Sequence, residues 1–308
     1  MSLVTKQVLI TGAAGFIGRH VAREFAKLGA NIIGIDRREW SDWKQNGFSA
    51  WHCSDVTLDS LVECAGSPDL IVHCAGGASV EFSLEEPYLN FTQTADTMLQ
   101  VLEFMRLHSP SSQLVYSSSA AVYGQVNSLP IGEDAPLQPI SPYGVYKKIT
   151  EELCQLYANQ YQLSIAIVRL FSIYGEGLKK QLLWDACNKL FKGDSEFFGT
   201  GEEIRDWLHI RDATKLIILA AEHASTKCTI LNGGSGEGTS IKNILQILNI
   251  QLGLNRKIYF STQQKKGDPS AYIANVDIAR SWGWNPEIKW QQGVAEYAAW
   301  YKKCQPFE

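Results

Sequence analysis

The chain of 308 residues is long enough for one large domain or two, since domains usually span about 100–200 residues. Hydrophobic residues make up 45% and charged residues 19%, a globular composition that excludes disordered, collagenous and low-complexity chains. The formal net charge of −4 and the lack of a basic run disfavour a nucleic-acid partner, because phosphate binding usually needs a positive patch.

Short apolar segments alternate with helical patterns along the first half of the chain. The apolar runs predict buried strands at 6–11, 31–36, 69–75, 113–117 and 165–170. Helical spacing predicts a first helix from Phe16 to Leu28, which Gly29 ends, and further helices at 84–107 and 142–161. Strands that alternate with helices indicate right-handed βαβ units and a parallel sheet covered on both faces.

This alternation stops after Leu170. Helices are predicted at 181–192, 212–223, 241–252 and 291–303, and segments without strands at 193–210 and 230–240. We therefore expect an α/β protein with a Rossmann-type doubly wound parallel sheet and a smaller C-terminal α/β lobe. The predicted bounds are 1–174 and 206–232 for the sheet domain, and 175–205 and 233–308 for the lobe.

The cysteines and the longest apolar runs indicate where in the cell the protein is found. Seven cysteines are scattered without a Cys-x-x-Cys pair, which indicates reduced thiols and predicts no disulfide framework and no metal site. The apolar runs are far shorter than the ~20 residues of a membrane helix, and residues 1–6 lack the layout of a signal peptide. We expect a cytoplasmic protein that uses neither membrane nor nucleic acid as a partner.

A glycine-rich turn, TGAAGFIG at 11–18, joins the first predicted strand to the first helix. Gly12 permits a tight turn, Gly15 lets the backbone approach a pyrophosphate, and Gly18 lets the helix pack closely on the strand. The start of the helix offers free N–H groups and a partial positive charge to phosphates. The motif predicts a dinucleotide-binding turn.

Asp36, which ends the second predicted strand, indicates the cofactor. Its carboxylate can accept both ribose hydroxyls of an adenosine and would repel a 2′-phosphate, which favours NAD. Arg37 and Arg38 follow immediately and could pair with that phosphate, so NADP stays possible.

Tyr143 and Lys147 lie four residues apart in the predicted helix 142–161, and therefore on one face of it. A phenol is a poor base at neutral pH, and a nearby ammonium together with the positive nicotinamide ring of a bound cofactor is expected to lower its pKa into a useful range. Tyr146 lacks such a partner, because Thr150 stands at the corresponding position. The cluster Ser117-Ser118-Ser119 ends a predicted strand at the sheet edge where open parallel sheets bind ligands.

Six motifs occur in a fixed order: TGAAGFIG (11–18), HCAGG (73–77), YSSSAAVYG (116–124), SPYGVYK (141–147), RLFSIYG (169–175) and RDWLHIRD (205–212). Together they resemble the extended short-chain dehydrogenase/reductase superfamily, and within it the nucleotide-sugar epimerase/dehydratase/reductase branch with its UDP-glucose 4-epimerase-like enzymes. The resemblance runs from the first strand to about Gly238, with a weaker echo at 266–268. It implies that the sheet domain carries NAD(P) and that the lobe binds a nucleoside-diphosphate sugar, usually for polysaccharide synthesis.

The resemblance also implies site residues and a homodimer. Ser119, Tyr143 and Lys147 would be the catalytic triad. The cofactor contacts implied besides the turn glycines, Asp36, Tyr143 and Lys147 are Phe16, Ile17, Arg37, Asp55, Val56, Ala75, Gly76 and Phe171. The substrate contacts implied are Ser79, Ser119, Ser172, Lys180, Gln181 and Arg205. The helices 84–107 and 142–161 would form a twofold dimer interface with apolar residues such as Leu99, Leu102, Leu153 and Leu156.

Several of these residues also have simpler explanations. Asp55 could be the N-cap of a helix, and Arg205 could pair with Asp206 or Glu202, although a guanidinium suits the two charges of a diphosphate. Ser172 departs from the Asn that is common at its position in the family, which weakens its assignment as a substrate contact.

The residues after Ser119 narrow the reaction. The family's sugar dehydratases carry a carboxylate-bearing residue there, whereas this chain has Ala120 and Ala121, which cannot move protons. Hydride transfer at one sugar carbinol is then expected, most often at carbon 4. The leading hypothesis is an NDP-hexose 4-epimerase that uses NAD. An NAD(P)H-dependent NDP-4-keto-sugar reductase is the alternative, and a non-catalytic NAD(P) sensor is disfavoured by the intact Tyr143 and Lys147.

Overall fold

The computed structural model describes residues 6–77, 79–126, 128–262 and 269–304. Residues 1–5 and the motif echo at 266–268 lie outside the described residues. The chain divides into two compact units. The first comprises Met1–Gly124, Glu133–Leu170 and Thr214–Asn232, and the second comprises Gln125–Gly132, Phe171–Ala213 and Gly233–Glu308. The boundaries predicted from the sequence fall at 174/175, 205/206 and 232/233, and the last of these is also a boundary of the structural units.

Strands and helices alternate through the first half of the chain, as the sequence predicts. The strands are β1 (Gln7–Thr11), β2 (Asn31–Asp36), β3 (Ala50–Cys53), β4 (Leu70–His73), β5 (Gln113–Ser119), β6 (Ser164–Leu170), β7 (Ser172–Tyr174), β8 (Glu196–Phe197), β9 (Ile204–His209), β10 (Thr229–Gly233), β11 (Gly238–Ser240) and β12 (Tyr259–Phe260). The helices are α1 (Phe16–Lys27), α2 (Leu58–Cys64), α3 (Val80–Glu85), α4 (Pro87–Phe91), α5 (Thr97–His108), α6 (Pro142–Tyr161), α7 (Gln181–Phe191), α8 (Ile210–Glu222), α9 (Ile241–Leu252), α10 (Asp277–Ser281) and α11 (Trp290–Cys304). A π-helical turn, Thr92–Asp96, joins α4 to α5.

The central sheet has the strand order β10-β6-β5-β4-β1-β2-β3, and each neighbouring pair from β6 to β3 is parallel. The strands run outward from β1 in both directions, which is the doubly wound arrangement, so the predicted fold class is confirmed. The sequence does not predict β3, because its half-exposed residues at the sheet edge form no apolar run.

Helices α5 and α6 pack on this sheet and form its hydrophobic core with β1, β4, β5 and β6. Leu102 of α5 is fully buried in that core, and Leu99 and Leu153 pack against it. The predicted dimer surface is therefore wrong for Leu102, because the sheet already covers it. Leu156 is 55% exposed and remains available to a partner.

The second unit contains the three-stranded sheet β11-β9-β7 and the pair β12-β8. Its helices α7, α9 and α11 pack against one another. The polar stretch 193–210 and the segment 230–240, predicted as a loop, contain β8, β9, part of β10 and all of β11. That prediction is wrong because backbone pairing defines these short strands and their mixed side chains leave no apolar run. Within the described ranges, no helix has the length and apolar character needed to cross a membrane.

Candidate active site

The turn between β1 and α1 is held tightly against the segment that follows β4. Gly12 has a φ of +64°, and a Cβ there would lie 2.6 Å from the backbone nitrogen of Ala75. Cβ atoms at Gly15 and Gly18 would lie 2.8 and 2.6 Å from the carbonyl oxygen of Gly12. Real Cβ atoms do not approach backbone atoms this closely, so each position requires glycine. The N-cap of α1 is Gly15, which leaves the start of the helix open to a ligand.

Asp36 ends β2 beside this turn and is 6% exposed. Its carboxylate accepts the N–H of Ala14 at 3.0 Å and the N–H of Arg38 at 3.1 Å. The guanidinium of Arg38 also pairs with it, with Nε 3.1 Å from Oδ1, whereas Arg37 is exposed. Arg38 therefore partly neutralises the carboxylate. A 2′-phosphate would have to compete with Asp36 for the guanidinium of Arg38.

The loops after β3 and β4 border the same turn. Ala75 and Gly76 are half-buried, and a Cβ on Gly76 would lie 3.9 Å from Nζ of Lys147. Val56 is buried in the core, while Asp55 is exposed and does not cap α2, whose N-cap is Thr57. A glycine cradle that a Cβ would fill, an open helix start and a buried acidic residue at the end of β2 together fit a dinucleotide.

The start of α6 is fixed against the end of β5. Ser141 caps the helix by accepting the N–H of Gly144 at 3.2 Å, and Pro142 occupies its first turn. A Cβ on Gly144 would lie 2.5 Å from the carbonyl oxygen of Ala121, so the helix packs directly on the segment after Ser119. This packing brings Tyr143 close to Ser119, whose hydroxyl acts on the phenol.

Lys147 is 5% exposed and lies one turn further along α6. Its Nζ donates to the carbonyl oxygen of Ser117 at 2.9 Å and lies 4.7 Å from the ring centroid of Tyr116. The same atom is 5.9 Å from the ring centroid of Tyr143. The structure thus brings together the three residues Ser119, Tyr143 and Lys147.

Burial controls the ionisation of this group. It raises the pKa of Tyr143, with only partial opposition from the hydroxyl of Ser119, and lowers the pKa of Lys147 to about 8. Lys147 by itself therefore does not bring the pKa of Tyr143 below its ordinary value, because burial raises it. A lower phenol pKa would have to come from the positive charge of a bound cofactor.

Tyr146 lies outside this group, as the sequence predicts. Its ring meets that of Phe91 edge to face, with centroids 5.4 Å apart. The hydroxyl of Thr150, four residues on, donates to the backbone carbonyl of Tyr146 at 2.7 Å.

Ser79 has a structural role in this structure. It is the N-cap of α3, and its hydroxyl accepts the N–H of Phe82 at 3.1 Å. A contact between this hydroxyl and a sugar would have to share the oxygen with the cap.

The other predicted substrate residues lie in the second unit. Ser172 is in β7 opposite Trp207 of β9, and Arg205 lies two residues before Trp207 on that neighbouring strand. Lys180 and Gln181 are exposed at the start of α7. Phe171, predicted to contact the cofactor, also belongs to this unit, and its ring meets that of Tyr272 with centroids 6.0 Å apart.

Asp206 does not serve as an ion-pair partner for Arg205. It is fully buried, and its carboxylate accepts the hydroxyl of Ser235 at 2.7 Å and the N–H groups of Gly236 and Ala274 at 2.9 and 3.0 Å. Arg205 is half-buried and donates from Nη1 to the carbonyl oxygen of Ile204 at 2.8 Å. The carboxylate therefore fixes the loop beside β9 and leaves Arg205 to other partners.

Two buried charged residues beside the catalytic group are missing from the sequence analysis. Glu151 follows Lys147 by four residues on α6, and Arg169 lies in the otherwise apolar strand β6. Both are at most 2% exposed and form an ion pair with Nη2 2.8 Å from Oε2. The helical spacing of Glu151 from Lys147, and a charged residue inside a buried strand, are the signals that could have found them.

Known proteins with similar sequences and folds match this chain over nearly its whole length. The profile of the NAD-dependent epimerase/dehydratase family matches residues 8–234. The UDP-glucose 4-epimerase of Azospirillum brasilense is 30% identical over 95% of this chain and 90% of that protein, and the UDP-glucuronate 4-epimerase of Thermodesulfobacterium geofontis is 28% identical over 96% of each. The solved structure of MoeE5 in complex with UDP-glucuronic acid and NAD is 26% identical, covers 97% of this chain and 100% of that one, and has a TM-score of 0.88. The chain belongs to the NAD-dependent epimerase/dehydratase family.

Proposed function

We propose that this enzyme is an NAD-dependent 4-epimerase of a UDP-linked hexose. The observation that carries the proposal is the grouping of Tyr143 with Ser119 and Lys147, with the Gly76 loop next to Lys147. The relatives are named as 4-epimerases of UDP-glucose and UDP-glucuronate, which supports a UDP-sugar as the substrate.

In this reaction the residues of the chain itself transfer one proton. NAD, when bound, supplies the acceptor for a hydride from the sugar carbinol and returns it to the opposite face. Tyr143 takes the proton of the carbon-4 hydroxyl as a base and gives one back as an acid. Ser119 donates a hydrogen bond to the same oxygen and orients it, while the charge of Lys147, together with that of the bound cofactor, favours the ionised phenol.

The turn after Ser119 argues against a dehydratase. Ala120 and Ala121 occupy this 3₁₀ turn, and Ala120 is buried. Neither side chain can hold or move the second proton that elimination of water across two carbons requires. Reaction at a single carbon agrees with an epimerase.

We assign the dinucleotide to the first unit and the sugar nucleotide's diphosphate to Arg205 in the second. Support for the first assignment comes from the glycine cradle and from Asp36 beside it. Support for the second comes from the chemistry of Arg205, because a half-buried guanidinium suits the two charges of a diphosphate.

The test is an NMR assay of the purified enzyme with UDP-, GDP- and dTDP-sugars and no added nicotinamide, together with mass analysis of any cofactor that copurifies. We expect bound NAD and interconversion of one UDP-hexose with its 4-epimer, without net oxidation or reduction. A strict demand for NADPH with reduction of a 4-keto-sugar would identify a reductase and overturn the proposal.

We also propose that the enzyme is a homodimer. Helices α3 and α4 contact α6, and their apolar side chains point away from the core. Tyr88 is 80% exposed, and Leu84 and Leu156 are each more than half exposed. Exposed aromatic and aliphatic residues on neighbouring helices are typical of an interface between identical copies.

A further inference from the structure

Glu151 and Arg169 form a buried ion pair directly beneath the reacting group. Glu151 is fully buried and lies on the same face of α6 as Tyr143 and Lys147, at intervals of four residues. Arg169 reaches it from β6, with Nε 3.1 Å from both carboxylate oxygens and Nη2 2.8 Å from Oε2. This fork geometry is the strongest form of an arginine–carboxylate pair.

The pair is also bonded to the strand that carries Ser119. The hydroxyl of Ser118 donates to Oε1 of Glu151 at 2.6 Å, so the residue before Ser119 is fixed to α6. Nη1 of Arg169 donates to the hydroxyl of Tyr123 at 2.9 Å, and that hydroxyl donates to Oδ1 of Asn232 at 2.7 Å. The ion pair therefore connects β5, α6 and β6 next to the catalytic residues.

Lys147 faces several other titratable groups, and burial keeps them uncharged at neutral pH. From the ends of β4 and β5 and from α6, these groups are His73, Cys74, Tyr116, Tyr143 and Cys154. Burial lowers the pKa of His73 to about 3, raises that of Cys74 to about 11, and raises the pKa values of the two tyrosines and Cys154 above their usual range.

Glu151 differs from these groups because it forms an ion pair with Arg169. It is the negatively charged member of that pair and acts on Lys147 from the same face of α6. Its attraction raises the pKa of Lys147 against the effect of burial, which alone would favour the neutral amine.

We propose that the Glu151–Arg169 pair is the positioning element of the reaction: Glu151 holds Lys147 as an ammonium ion and, through Ser118, holds Ser119 against Tyr143. The role of Lys147 rests on the proposed function, whereas the effect of Glu151 on Lys147 does not. Neither residue touches the substrate or the cofactor in this proposal.

The first test compares turnover of Glu151→Gln with that of the parent at pH 6 and pH 8. Gln keeps the shape and the acceptor for Ser118 but removes the charge, so Lys147 should lose its proton at a lower pH. We expect the ratio of variant to parental turnover to be about three- to ten-fold lower at pH 8 than at pH 6. An equal loss at both pH values would show a merely structural role and overturn the proposal.

The second test does not depend on turnover. Enzyme labelled with [ε-¹³C]lysine is titrated by NMR with and without NAD, and the signal missing in Lys147→Met identifies Lys147. The titration midpoint of Lys147 should move to lower pH in Glu151→Gln. An unmoved midpoint contradicts the proposal, whatever activity the enzyme has. Because the midpoint is measured without turnover, failure of this proposal is distinguishable from failure of the proposed epimerase function.

Two further variants complete the design. Glu103→Gln breaks an ion pair with Arg106 on α5 and should leave the Lys147 titration where it is in the parent. If Glu151→Gln does not fold, the double variant Glu151→Gln, Arg169→Gln removes both charges and leaves two amides that can bond to each other. Its Lys147 midpoint should still fall, and a midpoint equal to that of the parent would overturn the proposal.

Discussion

Tyr143 and Tyr146 are three residues apart on α6, yet only one of them has the surroundings of a base. Tyr143 lies close to Ser119 and beside Lys147, while Tyr146 packs on Phe91. At the scale of single residues, the function depends on which hydroxyl can exchange a proton with the substrate.

Tyr143→Phe should therefore abolish most of the activity. The change removes the hydroxyl and keeps the ring, so turnover should drop by about 10²–10⁴-fold while NAD binding stays close to that of the parent. Steady-state assays of epimerisation and a titration with NAD measure the two effects. Tyr146→Phe is the control and should keep near-normal rates, and the reverse pattern would refute the assignment of Tyr143.

Asp36 and Arg38 allow a second prediction at this scale. Asp36→Ala removes a charged hydrogen-bond acceptor, so NAD affinity should weaken by about 1.5–3 kcal/mol. The difference in affinity between NAD and NADP should become smaller as well, because the released guanidinium of Arg38 can pair with the 2′-phosphate of NADP. Calorimetric titration with NAD and with NADP measures both affinities. In the double variant Asp36→Ala, Arg38→Ala, the affinity for NADP relative to NAD should not increase in this way. Unchanged NAD affinity in Asp36→Ala would show that the carboxylate does not bind the ribose.

At the scale of elements, the site depends on how closely the start of α6 approaches the end of β5. Gly144 makes that approach possible, since a Cβ there would meet the carbonyl oxygen of Ala121 at 2.5 Å. Neither atom is on a flexible side chain, so any larger residue must move the helix.

Gly144→Ala should separate Tyr143 from Ser119. We expect turnover to fall by at least about 10-fold, since small displacements of reacting groups are costly, and the free energy of unfolding to fall by about 1–3 kcal/mol. Turnover and denaturant unfolding are measured on the same preparation. Gly253→Ala, at the C-cap of α9, is the control, because a Cβ there meets no described atom within 4 Å. It should cost some stability through its φ of +80° and leave turnover unchanged, and a parental rate in Gly144→Ala would contradict the argument.

At the scale of the whole molecule, the exposed apolar surface on α3, α4 and α6 predicts a dimer. Light scattering at micromolar concentration should give twice the mass of the chain. Replacing Tyr88 and Leu156 by Ser should shift the protein toward the monomer, because both side chains are more than half exposed and would be covered in the dimer. A monomeric parent protein would remove the proposal.

The stability of the fold should fall in acid because of His73. This residue is fully buried in β4, its Nδ1 is 2.8 Å from Oγ1 of Thr11, and burial lowers its pKa to about 3. Between pH 6.5 and 3 the unfolded chain binds a proton that the folded chain does not, so the free energy of unfolding falls as the pH falls.

The variant His73→Gln tests this linkage. From pH 7 to pH 5, the parent should lose about 2 kcal/mol more of its free energy of unfolding than the variant does. Urea unfolding of both proteins at the two pH values gives the difference. An identical loss in the two proteins would show that His73 is not the group responsible.

The sequence by itself determined the features that depend on local spacing. The glycine turn, the apolar runs of β1, β4, β5 and β6, and the bounds of α6 are properties of adjacent residues, because strand and helix periods are local. Helical spacing puts Tyr143 and Lys147 on one face, and the Ser117–Ser119 cluster ends a strand at the ligand-binding edge of the sheet, whereas the grouping of Ser119 with the other two came from the family resemblance.

The features that depend on burial and packing were decided only by the tertiary structure. The ion pair of Glu151 with Arg169 joins residues 18 positions apart on two elements, and no local pattern shows that both are buried. The salt bridge of Arg38 with Asp36 and the burial of Leu102 depend in the same way on which surfaces meet. The pKa of Tyr143 is raised because desolvation, which a sequence does not reveal, outweighs the opposing effect of the Ser119 hydroxyl.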